Sequence, residues 1–426
     1  MVALGVVAFR DGGATAVGVV AFARMAPSFL LAPFGTALAD RLPRDRVLVW
    51  SCLLRAAATA LAALLLAANA SNLGVYAFAM AATAAFTVFR PAHTALLPAL
   101  CVTPLELTSA NVVRGLVDSA STLLGPLLAA VLLGLGSPAA VFAAAAVLSL
   151  GSGALLVRLF YEAPPRGAPQ PLSRILRETV EGFRALVRYR DAGLLFGVGF
   201  GQTLTRGFLN VFLVVMALEL LDTGDSGVGV LTAAMGVGAV AGSLAASMLV
   251  SGRRLAAVAG IGVALWGLPL TLCGLLPNRP AVLALMGVIG VGNALVDIGV
   301  FTLPARLVPE ELLARVFGAF ESLVALTVAL GALVTPLVID LLGIRGALVA
   351  LGLVAPVLVA LSWRRLRAID AAMAHRDTEV GVLNRVGMLR ALPMPAIDSL
   401  AVHVGHAHSR PDGRCFTRGT KAIAST

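Results

Sequence analysis

The chain has 426 residues, of which 59% are hydrophobic and 13% charged, with a formal net charge of +10. A soluble domain carries about 25% charged residues, so this composition excludes a water-soluble globular protein, and the apolar content excludes disorder or a collagen-like repeat. With aromatics at 6% and no basic face interleaved with rings, the positive charge is not that of a nucleic-acid surface; arginines at the inner ends of membrane spans explain it. A span takes about 20 apolar residues, so the chain has room for roughly a dozen of them.

Apolar runs separated by charge or turn signals fall at 15–39, 47–69, 73–97, 107–136, 138–157, 193–221, 226–250, 255–276, 280–304, 312–342 and 345–363. Before them, Met1 to Phe9 is apolar but too short to cross about 30 Å of hydrocarbon, and Arg10-Asp11-Gly12-Gly13 closes it as a loop would. The reading is a twelfth helix whose first half is missing; a short interfacial segment is the alternative. Arginine is concentrated in Asp40–Arg46, Arg158–Asp191, Ser251–Arg254, Arg306–Glu311 and Trp363–Arg367. The positive-inside rule makes these loops cytoplasmic, together with the central loop and both termini of the full-length topology. The turn from Leu221 to Gly227, carrying Asp222 and Asp225, then lies outside.

The central loop divides the chain. Apolar positions 172, 175, 176, 180, 183, 186 and 187 have helical spacing, with Glu178, Glu181 and arginines opposite, which predicts an amphipathic helix on the inner membrane surface. The flanking halves echo one another. Leu97-Pro98-Ala99, Pro104 and Glu106 precede one long helix, and Leu303-Pro304-Ala305, Pro309 and Glu310 precede another about 206 positions later. Gly35 and Gly242 keep nearly the same offset. Internal repeats of this kind place a substrate site between the halves near the bilayer midplane. The expected organisation is an N-terminal six-helix bundle over 1–157, the central loop over 158–192, a C-terminal six-helix bundle over 193–366, a helical tail over 367–402 and a disordered end over 403–426.

On these residues the chain resembles the major facilitator superfamily. The run Thr36-Ala37-Leu38-Ala39-Asp40-Arg41-Leu42-Pro43-Arg44-Asp45-Arg46 is similar to the loop between that family's second and third helices. Asp40, Arg41 and Arg44 match its pattern, while Thr36 and Pro43 stand where glycines are usual and Asp45 where a second basic residue is. The resemblance implies a cytoplasmic gate at Asp40, Arg41 and Arg44; a merely topogenic basic loop is the alternative. Ala120, Gly125, Pro126, Ala129 and Ala130 resemble the antiporter motif of the fifth helix, with alanines in place of glycines, and small residues there allow close helix packing. Gly224 to Gly229, Gly292-Asn293-Ala294-Leu295-Val296-Asp297, Arg315-Val316-Phe317-Gly318 with Glu321, and Ser109-Ala110-Asn111 narrow the resemblance to the bacterial enterobactin- and macrolide-exporter branch. The run from Leu383 to Leu400 is similar to the entry helices of a cyclic-nucleotide-binding domain, here a remnant without a phosphate cradle.

Charges within spans are expensive and face a polar cavity or a partner. They are Arg24, Arg55, Arg90, Arg114, Asp118, Arg206, Asp297 and Glu321, with Asn210 and Asn293 as polar neighbours. The substrate and proton pathway is assigned to Arg24, Arg114, Asp118, Arg206, Asn210, Asn293, Asp297 and Glu321. Asp297, Glu321 or Asp118 would couple proton entry to substrate exit, against the alternative of structural ion pairing. Arg114 and Asp118, four apart, share a helix face. No enzymatic, ATP-binding or metal-spaced motif occurs in the spans, so no catalytic residue, cofactor or metal is assigned; His403 and His406 in the tail read as loose histidines, with a His-x-x-His metal site as the alternative. The four scattered cysteines form no disulfide framework.

The expected fold is all-α and membrane-integral, with the major-facilitator arrangement of two six-helix bundles. The expected function is proton-coupled efflux of small amphiphilic molecules, of drug or siderophore type, by a monomer in a bacterial plasma membrane. The partners are the substrate, protons and the bilayer, without nucleic acid. A same-fold importer or symporter, and a truncated non-transporting remnant, are the alternatives.

Overall fold

A computed structural model describes residues 1–41, 43–100, 104–158, 177, 180–181, 183–184, 188–249, 254–302, 310–383, 408–409 and 415–416. The elements are α1 (Val2–Arg41), α2 (Arg44–Ala67), α3 (Asn72–Leu100), α4 (Pro104–Gly134), α5 (Pro138–Val157), α6 (Arg190–Val215) with a π-helical turn (Met216–Leu220), α7 (Asp225–Leu249), α8 (Leu255–Leu275), α9 (Arg279–Thr302), α10 (Glu310–Gly352) and α11 (Val354–Leu383). In lipid every backbone polar group must be satisfied within the protein, and a helix does this without a neighbour. Among the described residues nine stretches are long and apolar enough to cross a membrane.

Two of the long helices are interrupted by glycine. In α1 the φ of +59° at Gly13, beside an extended Gly12, separates a short segment, 2–11, from a long one, 14–41. Gly343, at φ +69°, likewise ends one span within α10 and begins the next, which continues into α11. Both φ values lie in the left-handed region that glycine occupies without Cβ strain. Counted this way, all eleven expected apolar runs are helices, preceded by the short segment expected before Arg10.

Helix starts follow the local sequence. Ser137 accepts a hydrogen bond from the Ala140 N–H at 3.2 Å ahead of Pro138, and Asn278 accepts one from the Ala281 N–H at 2.9 Å ahead of Arg279-Pro280. These pair an oxygen-bearing cap with proline in the first turn. At the start of α8 the cap comes from far away. Asp370, 6% exposed on α11, accepts from the N–H groups of Ala256 (2.7 Å) and Ala257 (2.9 Å). Leu195, Leu255, Leu366, Ile369 and Met373 pack around that cap. The sequence reading placed Asp370 in a cytoplasmic tail. In the structure residues 367–373 belong to the helical body, because a buried carboxylate satisfies two N-terminal donors and the helix dipole at once.

The two halves pack as bundles, α1 to α5 and α6 to α11, joined chiefly by α1 against α10 and α4 against α7. These seams need small residues. A Cβ added at Gly18 would lie 2.6 Å from the Ala332 carbonyl oxygen and from Pro336, and one at Gly236 would lie 2.7 Å from Leu123 Cα. Ala130, from the antiporter-like run, packs against Gly229, where an added Cβ would lie 2.7 Å from the Ala130 Cβ. Ala130 and Pro336 keep the offset of about 206 positions seen in the sequence, so the two seams are related by the repeat.

The loop at Gly12-Gly13 is fastened on both sides. Arg10 pairs with Asp225 at the start of α7, across the halves, while Asp11 accepts hydrogen bonds from Tyr76 and, at 2.6 Å, from Asn72 on α3. Arg279 donates to the carbonyls of Leu221 (3.2 Å) and Asp222 (3.0 Å), holding the neighbouring turn.

Of the expected amphipathic helix over 172–189, the described positions 177, 180, 181, 183, 184 and 188 are helical, and Phe183 and Tyr189 pack against the main core; the rest lies outside the described residues. So does the run from 384 to 407, with most of the cyclic-nucleotide-domain resemblance. Within the segment expected to be disordered, His408–Ser409 pairs antiparallel with Cys415–Phe416, on either side of the turn-forming residue types Pro411-Asp412-Gly413.

Two substitutions test this packing. Asp370→Ala removes a cap, expected to cost about 1–2 kcal/mol, and Gly236→Leu forces apart a backbone contact, expected to cost about 1–3 kcal/mol. Both should lower the midpoint of thermal unfolding in detergent, followed by size-exclusion fluorescence; an unchanged midpoint in either would remove the role given to that residue.

Candidate functional site

One cavity of about 780 Å³ lies where the halves face each other. The spacing of polar residues along the helices builds it. On α6, Gln202, Arg206 and Asn210 follow at intervals of four and so share one face, and all three line the cavity. On α9, Asn293 and Asp297 do the same; Asn293 Nδ2 donates to Asp297 Oδ2 at 3.1 Å. Arg24 enters from α1 and Glu321 from α10. The remaining wall is mostly apolar, with Leu209, Val324 and Phe320 among its residues. Phe320 is held by Phe196 and Phe200, whose ring centroids lie 4.7 and 5.4 Å away.

Six of the eight residues assigned to a pathway from the sequence therefore line one cavity: Arg24, Arg206, Asn210, Asn293, Asp297 and Glu321. The other two do not. Arg114 and Asp118 form an i,i+4 pair on α4, Nε to Oδ2 3.9 Å, with the Asp118 side chain 76% exposed. The cavity wall on α4 begins about one turn later, at Ser121 and Thr122, and continues through Gly125, Pro126 and Ala129 of the antiporter-like run. Side chains one turn apart on a helix present to different depths, and Asp118 is satisfied by its own neighbour. Arg55 lies elsewhere, over the Phe86 ring at 5.3 Å, beside a smaller cavity of about 290 Å³ between α2, α3, α4 and α5. The side chains of Asp40, Arg41, Arg44 and Arg90, and His403 and His406, lie outside the described residues.

Sequence reasoning missed Gln202, Thr203, Thr232 and Trp266, all of which line the cavity. Gln202 and Thr203 interrupt an apolar run and could have been noticed. Trp266 gave no such signal, because a tryptophan in a span reads equally well as lipid-facing.

The cavity carries charge of both signs on different helices, guanidiniums on α1 and α6 and carboxylates on α9 and α10. Such a site can hold a polar small molecule.

Comparison with known proteins gives the fold a family. No curated protein sequence matches the chain. The family model described as Major Facilitator Superfamily matches residues 1–215 and 195–394. Among solved structures, a POT family transporter in complex with a thioalcohol-conjugated peptide aligns at a TM-score of 0.69 and 14% identity, over 86% of this chain and 93% of that one. The nucleoside transporter NupG aligns at 0.68 and 14%, over 86% and 94%. The human organic anion transporter MFSD10 aligns at 0.61 and 20%, over 81% and 84%. At these identities the structures speak for the fold. The eleven long helices in two repeated halves, the cavity between them and the family match over most of the chain show that this protein belongs to the Major Facilitator Superfamily of multi-pass membrane transporters.

Proposed function

We propose that the protein is a proton-coupled efflux antiporter for small amphiphilic molecules, working by alternating access in a cell membrane with its arginine-rich loops toward the cytoplasm. The observation that carries this reading is the cavity between the halves, where Asp297 and Glu321 share a largely apolar chamber with Arg24 and Arg206. An apolar wall with a few polar groups suits a small organic cargo. A carboxyl group in such a chamber is destabilised by desolvation and stabilised by a nearby cation, so its proton affinity depends on which compartment the chamber faces and on what occupies it.

Arg10 with Asp225, Gly18 with Ala332, and Ala130 with Gly229 join the halves toward the end assigned to the outside, where Arg10–Asp225 would act as a latch that alternating access has to open. The small-residue face of α4 against α7 favours export, as the antiporter-like run does in the sequence.

Transport of cationic, neutral and anionic fluorescent dyes in everted vesicles tests the reading. Dye should accumulate in a proton-gradient-dependent manner with the wild type. Asp297→Asn or Glu321→Gln should reduce that dependence about a hundredfold or more, the typical contribution of a positioned proton-transfer group, while dye exchange without a gradient persists. Gradient dependence unaltered in both variants would remove the coupling role, and accumulation only in right-side-out vesicles would make the protein an importer.

A further inference from the structure

The smaller cavity, of about 290 Å³, lies within the N-terminal half, and among its described lining residues Arg55 alone is charged. Arg55 follows the start of α2 at Arg44 by eleven residues, about 16 Å along the axis, so it sits well inside a span. Among the described residues no carboxylate pairs with it; its guanidinium lies over the Phe86 ring, 5.3 Å from the centroid. Phe86 stacks on Phe89 at 6.1 Å and Phe89 on His93 at 5.8 Å, so a ladder of rings on α3 backs the cation. A ring face offsets only part of what an ionised group loses on leaving water. Across the cavity, the Ser149 and Ser152 hydroxyls donate to the carbonyls of Ala145 (2.7 Å) and Leu148 (2.9 Å) on their own helix. The cavity is open at its rim, where Leu128 of α4 and Leu148 of α5 are exposed. A Cβ added at Gly125 would meet nothing within 4 Å. Gly125 and Ala129 line the central cavity as well, so the two spaces adjoin.

We infer that this cavity is a second binding site, which takes a carboxylate amphiphile of the fatty-acid class from the bilayer, with its head on Arg55 and its chain along α4 and α5. The site is separate from the central chamber, and it stands whether or not the chain transports anything. A guanidinium presents paired donors that match the two oxygens of a carboxylate. The chain then lies against Leu128, Leu132 and Leu148. Depth and size choose this occupant over a phospholipid. A carboxylic acid enters hydrocarbon in its neutral form and ionises beside a fixed cation, its proton passing to water. A phosphodiester head is permanently charged and stays at the interface. The space of about 290 Å³ suits a carboxyl group and the upper part of one chain, not a phospholipid head with two. A molecule held there is one wall, Gly125 and Ala129, away from the central chamber.

The test compares cis-parinarate with its methyl ester, at alkaline pH, in phosphatidylcholine nanodiscs holding the full chain. Binding is read as energy transfer from tryptophan, with Trp50 of α2 exposed five positions before Arg55, and empty nanodiscs give the background. Wild type should show saturable binding of the carboxylate at least about tenfold tighter than of the ester, as for one charge-assisted contact. Arg55→Gln should abolish the preference and Arg55→Lys should keep part of it. Gly125→Leu, which fills open space, should weaken binding of the carboxylate about tenfold. Equal affinity for the two probes in the wild type, including none for either, overturns the inference, as does a preference that survives Arg55→Gln in monodisperse protein. If Arg55→Gln fails to fold, the wild-type ratio and Gly125→Leu decide, and undiminished binding in Gly125→Leu overturns the site. Displacement of parinarate by an equal amount of added phosphatidylglycerol would assign the cavity to a phospholipid and overturn the fatty-acid assignment. Binding lost in Arg24→Gln but kept in Arg55→Gln would place the probe in the central chamber and likewise overturn it. Dye flux in everted vesicles keeps the two readings apart. Arg55-dependent binding without flux upholds this site and removes transport, whereas flux without such binding does the reverse.

Discussion

Placing ionised side chains at the depth of the hydrocarbon is the constraint on which the architecture depends. Arg24, Arg206, Asp297 and Glu321 have no stable position facing lipid, so the helices that carry them must turn those faces toward one another and toward a polar space. In this chain they turn toward one cavity. The seam between the halves is therefore a requirement of the charges as much as a route for cargo. The apolar positions on the other faces, such as Leu64, Leu155, Leu341 and Leu361, are left exposed, as a lipid-facing surface should be.

Bringing the halves together around such a chamber needs close backbone approach at a few points, because lipid supplies no hydrophobic drive for helix association. Gly18 against Ala332 and Gly229 against Ala130 provide it at the two related seams. Within the C-terminal half the approach is closer still: a Cβ at Gly238 would overlap the Gly287 carbonyl, and one at Gly290 would meet that of Met235. Bundles packed this tightly favour motion as bodies, with adjustment concentrated where the halves meet.

Much of this was legible in the amino-acid sequence. Composition gave the membrane class, and apolar run lengths gave helix positions to within a few residues, since the hydrocarbon thickness fixes how long each run must be. The breaks at Gly13 and Gly343 follow from turn chemistry. The cavity was partly legible: charges within spans singled out Arg24, Arg206, Asp297 and Glu321, with Asn210 and Asn293 as polar neighbours, whereas the one shared face read from an interval of four, Arg114 with Asp118, does not line it. What the sequence could not supply was the rotation of each helix about its own axis. That is why Trp266 was passed over; Asp118, on the same face as the lining residues Thr122, Gly125 and Ala129, stays outside because it lies one turn before the wall begins. The cap supplied by Asp370 was not legible for a related reason, since its partners at Ala256 and Ala257 lie more than a hundred positions away.

The carboxylate of Asp370 has a mechanical consequence. By clamping the beginning of α8 to α11, with Leu195 of α6 packed alongside, it welds three helices into a single stiff lever arm at one end of the C-terminal half. A tilt of that half would therefore have to carry the start of α8 and the end of α11 together.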